Sequence, residues 1–132
     1  MSFTGVAVDN PVFLTCYANQ EIGYSKSAQG AVTQATSKST AVTSNFSNVQ
    51  VTMNNAALAA GATVSFTLNN SLISDRDTLI VNVAGGNATP GTYTAFVSTI
   101  AAGSALISLY NISGGSLSEA IKLNIAIIHG QT

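Results

Sequence analysis

The sequence predicts an all-β protein: an antiparallel β-sandwich, jelly-roll-like, preceded by an extended N-terminal arm. Two observations carry the sandwich. From about residue 31 onward apolar and polar residues alternate with period two, as they do on strands with one face in a core. Clusters of Gly, Asn, Ser and Pro separate these runs into seven or eight short strands at spacings of roughly 8–14 residues. The arm rests on a third: the first thirty residues lack this regular pattern.

The strands can be read in order. Val49, Val51 and Met53 alternate with Gln50 and Thr52, and Val64, Phe66 and Leu68 alternate with Ser65 and Thr67. Leu79-Ile80-Val81-Asn82-Val83 and Ala105-Leu106-Ile107-Ser108-Leu109-Tyr110 are more continuously apolar and read as central strands. Thr92-Tyr93-Thr94-Ala95-Phe96-Val97 is a further strand. Ile121, Leu123, Ile125 and Ile127 form the apolar face of the last one. Gly85-Gly86-Asn87 with Pro90-Gly91, and Ser113-Gly114-Gly115-Ser116, are turns, as are Asn54-Asn55 and Asn69-Asn70. Residues 58–60 and 116–120 read as turns or single helical turns rather than helices.

The chain divides into an arm and linker over residues 1–29 and a sandwich over residues 30–132. In the arm Val6 and Val8 alternate, Asp9-Asn10-Pro11 forms a turn, and residues 12–17, with Val12, Phe13, Leu14 and Tyr17, form a short strand. Residues 21–30 are polar and carry Gly23, Ser25, Ser27 and Gly30, the composition of a linker. Val6, Val8, Val12, Phe13, Leu14 and Tyr17 are therefore the candidate partner-binding residues. The arm either adds a strand to this domain or a neighbour, or stays disordered until assembly orders it.

Composition narrows the function. A chain of 132 residues with 46% apolar residues builds one core without metals or disulfides. Only 7% of residues are charged, against about 25% in ordinary domains. The polar remainder is Ser, Thr, Asn and Gly, and the formal net charge is −1. Such a surface repels its own copies weakly and is cheap to desolvate, which suits a subunit of a larger assembly. Four scattered basic residues, Lys26, Lys38, Arg76 and Lys122, cannot neutralise a row of phosphates, so no nucleic-acid partner is expected. No apolar run is long enough to span a membrane, and the N-terminus has no secretory pattern. The opening Met1 fits an intact gene product made in the cytoplasm. The single Cys16 reads as a small packing residue.

Catalysis needs a base, a nucleophile or a metal held together, and the sequence offers little of this. His129 is the one histidine, close to the C-terminus, and no serine sits in a nucleophile elbow. Asp75-Arg76-Asp77 is the densest charge cluster; two carboxylates are too few for a calcium site, and the segment reads as a solvated turn. There is no phosphate-binding glycine loop. The glycosylation sequons at Asn45, Asn87 and Asn111 read as chance in a chain rich in Asn, Ser and Thr. Tyr17, Tyr24, Tyr93 and Tyr110 can stack on sugars only if exposed together, and there is no Trp. The expectation is a protein that is not an enzyme and carries no cofactor or metal.

Three phrases resemble a known family. They are Gly30-Ala31-Val32-Thr33-Gln34-Ala35-Thr36-Ser37-Lys38-Ser39-Thr40-Ala41-Val42-Thr43, the run from Val51-Thr52-Met53-Asn54-Asn55 through Gly61 to Leu68, and Asn111-Ile112-Ser113-Gly114-Gly115-Ser116-Leu117-Ser118-Glu119-Ala120-Ile121. Together, spanning about residues 30–130, they resemble a small β-sandwich domain of tailed-phage virion proteins, found on head-associated decoration proteins and on tail-fibre tips. The resemblance implies a bacteriophage structural protein without a catalytic motif. The expected role is a capsid decoration (cement) protein on the outer head shell, a homotrimer bound to the major capsid protein. A receptor-binding tip of a tail fibre is the alternative, and a lone carbohydrate-binding or adhesion module a third reading. The first 29 residues match nothing in the family and are expected to carry attachment.

Overall fold

The computed structural model describes residues 14–130. They form eight strands: β1 (Gln29–Thr33), β2 (Val42–Thr43), β3 (Asn48–Thr52), β4 (Thr63–Asn69), β5 (Thr78–Gly85), β6 (Tyr93–Ala101), β7 (Ser104–Asn111) and β8 (Lys122–Ile128). One 3-10 turn, Lys26–Ala28, precedes them and is the only helical element among the described residues. The strands make two four-stranded sheets, ordered β1-β3-β8-β5 and β2-β4-β7-β6. The chain crosses between the sheets at every connection except the β6–β7 hairpin.

The alternation seen in the sequence places the core. Val49 and Val51 of β3, and Leu123, Ile125 and Ile127 of β8, face Phe66 and Leu68 of β4 and Ala105, Ile107 and Leu109 of β7 in one buried cluster. Met53, Leu58, Ile73 and Ile121 close its ends from the connections. Most outward residues of the same strands are polar. Gln50 and Asn124, partners across β3 and β8, are joined by a side-chain hydrogen bond of 2.9 Å. On the other sheet Ser65, Ser108 and Ser98 form a row of hydroxyls 2.7 and 2.5 Å apart across β4, β7 and β6.

Four expectations need correction. The sheets are mixed rather than wholly antiparallel: β1 runs parallel to β3, and β2 runs parallel to β4. Each first strand is followed by a crossing to the opposite sheet, so its partner arrives in the same direction. Leu79-Ile80-Val81-Asn82-Val83 lies on β5, an edge strand, not a central one. Its apolar run does not reflect burial on both faces, because Ile80 points outward and is half exposed. Leu14 and Tyr17 belong to no strand, and residues 14–18 run as irregular chain. Residues 21–30 are not linker throughout, since they hold the 3-10 turn and the start of β1.

Gly86 has a fixed role in the β5–β6 connection. Its φ is +88°, and a Cβ there would lie 2.1 Å from the Ala120 carbonyl oxygen. Only glycine lets the two backbones approach in this conformation.

Ile125 sits at the centre of the seam, so Ile125→Ala should lower stability by about 2–5 kcal/mol. Ile80→Thr, on the outward face of β5, should change it by less than about 0.5 kcal/mol. Urea unfolding of the two variants beside the parent checks both.

Candidate interaction surfaces

The polar side chains that the sequence places in turns are mostly clamps. Asn111 is fully buried. Its amide donates to the carbonyls of Leu58 (2.9 Å), Ala59 (3.2 Å) and Gly115 (2.9 Å), and its oxygen accepts from the Ser113 amide and hydroxyl at 2.9 and 2.7 Å. No glycan can reach this sequon. Gln34 is equally buried. It donates to the Lys38 and Thr40 carbonyls, both at 2.9 Å, and accepts from the Asn54 amide at 3.0 Å. These bonds fold the β1–β2 connection onto the end of β3.

Lys38 is not a surface charge. It is buried, and its Nζ donates to the carbonyls of Asn54 and Glu119, the latter at 2.5 Å. Burial lowers the Lys38 pKa, and the nearby Glu119 carboxylate offsets part of that. Glu119 Oε1 accepts from the Ala88 amide at 2.7 Å. Its Oε2 and the Tyr93 hydroxyl are buried side-chain atoms without a hydrogen-bond partner among the described residues. Burial first, and the Glu119 carboxylate second, push the Tyr93 phenol above its ordinary range.

The Asp75-Arg76-Asp77 segment is a turn, but Asp77 is not solvated. Its carboxylate is buried and accepts from the Ser74 amide (2.9 Å), the Ser74 hydroxyl (3.0 Å) and the Gly130 amide (2.9 Å). His129 Nδ1 lies 3.2 Å from its second oxygen. Burial raises the Asp77 pKa, and these hydrogen bonds together outweigh burial and hold it below the usual carboxylate range. Ser, Asp and His meet here, yet not as a catalytic triad. A triad places histidine between hydroxyl and carboxylate; here the carboxylate stands between Ser74 and His129, so the imidazole has no path to the Ser74 proton. The cluster ties the segment after β8 to the turn before β5. Among the described residues no group of three or more His, Cys, Asp or Glu is placed to hold a metal ion, and no helix is long and apolar enough to cross a membrane.

What remains for partners is apolar. Of the arm residues singled out in the sequence, Val6, Val8, Val12 and Phe13 lie outside the described residues. Leu14 and Tyr17 are 107% and 79% exposed, and Ile22 is 86% exposed. The strap of residues 14–24 is fastened where the Tyr24 hydroxyl donates to the Ile127 carbonyl and Gln29 Nε2 donates to the Tyr24 carbonyl at 3.4 Å. Beside this fastening Ile22, Gly23, Tyr24, Ile128 and His129 line a cleft of about 410 Å³. Ile80 is a diagonal neighbour of Ile128 on the outer face of the same sheet, since Thr78 pairs with Ile128 and Ile80 with Ala126. Sequence reasoning missed this cleft because Ile128 ends the last strand on its outward face, where the alternation calls for a polar residue.

The second sheet presents a different surface. Its four strands contain no charged residue. Phe96 pairs with Ser108 and Thr94 with Tyr110, so Phe96 and Tyr110 are diagonal neighbours on the outer face, flanking the serine row. Tyr93, on the same strand, is buried in the core.

Comparison of the chain with protein-family models, with curated proteins and with solved structures returned no match.

Because the folded Asp77 pKa is depressed, its contribution is fully present above the unfolded carboxylate value near 3.9 and is lost as pH falls through the lower folded value. Asp77→Ala leaves the Ser74 and Gly130 amides without their acceptor and should cost about 2–3 kcal/mol at neutral pH. Asp77→Asn should flatten the acid limb of stability below about pH 4. Thermal unfolding from pH 2 to pH 7 measures both.

Proposed function

We propose that this chain is a bacteriophage structural protein, a capsid decoration (cement) protein that stabilises the head shell from its outer surface. The observation that carries the reading is the pairing of a self-sufficient, charge-poor β-sandwich with an exposed apolar strap at its N-terminal side. The strap has apolar side chains that its own domain leaves in water. Burying such side chains against a neighbour gains roughly 1.5–3 kcal/mol each. Repeated over many copies, modest contacts become a large barrier to opening the shell.

In this reading the protein is a homotrimer at local threefold positions of the capsid, with the major capsid protein as its other partner. The extended N-terminal arm, including Val6, Val8, Val12 and Phe13, clasps a neighbour. The repeated crossing between sheets is a jelly-roll-like trait, and closed symmetry covers edges that otherwise invite aggregation. The protein acts mechanically, without a cofactor and without enzymatic activity. It is made in the host cytoplasm and resides on the virion. In the phrases that resemble phage domains, Gln34, Lys38, Asn54 and Asn111 are clamps of the sandwich.

A receptor-binding tip of a tail fibre or spike is the second reading. The adjacent Phe96 and Tyr110 on an uncharged, hydroxyl-rich face favour it, because aromatic faces beside hydroxyls suit sugar rings.

Gold labelling of intact virions with an antibody to this chain decides between them. Decoration predicts gold spread over the heads at high copy. Gold confined to the tail tip contradicts decoration and selects the receptor-binding reading.

A further inference from the structure

We infer that the strap of one copy docks in the cleft of another, with Leu14 and Tyr17 seated against Ile22, Tyr24, Ile128 and Ile80 of the receiving chain. The inference deepens the assembly reading above and rests on it for the existence of a multimer.

A donor and an acceptor of matching chemistry are both uncovered on one molecule. The donor is the stretch Leu14-Thr15-Cys16-Tyr17-Ala18-Asn19-Gln20, which carries no charge. Its Leu14 and Tyr17 are almost wholly exposed. The acceptor is the cleft beside β8, extended along the outer face of the sheet by Ile80. Ile80 is an outward apolar residue on an edge strand, a position that folding alone does not require to be apolar. The cleft offers no carboxylate or ammonium group, and its one imidazole, His129, is paired with Asp77, so it suits an uncharged apolar occupant.

The occupant is a second copy for two reasons. The chain's own Ile22 and Tyr24 already form a wall of its cleft, and its own Leu14 and Tyr17 lie in water instead of in it. The ten residue-to-residue steps from Leu14 to Tyr24 span up to about 35 Å when extended. A domain of this size has a radius of gyration of about 13–14 Å, so that reach carries Leu14 across to a neighbouring sandwich. With a net charge of −1, copies approach without appreciable repulsion. Every copy is then both donor and acceptor, and the exchange forms a ring where the rotation from copy to copy closes. The Tyr24 hydroxyl bond to Ile127 fixes the point from which the strap leaves its own domain.

Cys16 lies within the donor and is exposed, which makes the test direct. A chain with its native Cys16 is mixed with a tagged chain carrying Cys16→Ser and Ile128→Cys, and treated with a short bis-maleimide. Neither chain can cross-link internally, because each has one thiol. The expected result is a mixed cross-linked pair, located by mass spectrometry to positions 16 and 128, and a mass above one chain by light scattering. Leu14→Asp with Tyr17→Asp in the first chain should cut the cross-linked yield about tenfold or more, with an unchanged melting temperature showing that the sandwich is intact. A monomer by light scattering, or a multimer without the 16–128 link, overturns strap exchange. Either negative leaves decoration of the head standing, since the virion labelling measures that separately.

Discussion

Strand β8 is the constraint on which the rest of the molecule depends. It is the last strand in the chain, yet it lies inside its sheet between β3 and β5. Leu123, Ile125 and Ile127, with Ile121 before them, are buried almost completely. Its ends also organise what surrounds them. The Ile121 carbonyl accepts from Met53, the Ile127 amide donates to Ser47, the Tyr24 hydroxyl ends on Ile127, and His129 and Gly130 meet Asp77. Until the C-terminal strand is in place, β3 and β5 have no partner between them. Folding therefore depends on contacts distant in sequence, the situation that makes β-sandwiches slow folders.

The second constraint is the near absence of charge. A typical domain keeps its surface soluble and its edges unattractive with Lys and Glu. Here neutral side chains take that place on the outer faces: the Gln50–Asn124 pair and the hydroxyls of Ser65 and Ser98. Of the few charged groups, Lys38 and Asp77 are spent inside the fold on backbone partners. What is left outside neither repels a copy nor demands an oppositely charged partner. The apolar strap and cleft then stand out as the features with the most to gain from association.

Much of the fold is legible in the sequence because burial on one side of a strand writes itself as alternation. Val49, Val51, Met53, Phe66, Leu68, Leu123, Ile125 and Ile127 are all found in the core where that pattern puts them. Pairing is not written in the same way. The parallel partners of β1 and β2 follow from where the chain crosses between sheets, which no local pattern records. The position of β5 at an edge is hidden because Ile80 is apolar although it faces outward. At the candidate surfaces the sequence singled out Leu14 and Tyr17 as candidate partner-binding residues, and both are exposed, but it did not single out the cleft. It also read Asp77 as solvated, because the backbone amide of Gly130 that buries it arrives from far along the chain.

The central claim is a division of labour: the sandwich folds by itself, and the strap serves association. Removing residues 1–20 tests it most directly, because that cut takes Leu14 and Tyr17 but leaves Tyr24 and its bond to β8. Thermal unfolding and light scattering on the truncated and full chains give the answer together. The account predicts a dilute-solution melting temperature within a few degrees of the full chain's and the mass of a single chain. A truncated chain that keeps the full chain's multimer, or one that no longer folds, contradicts it.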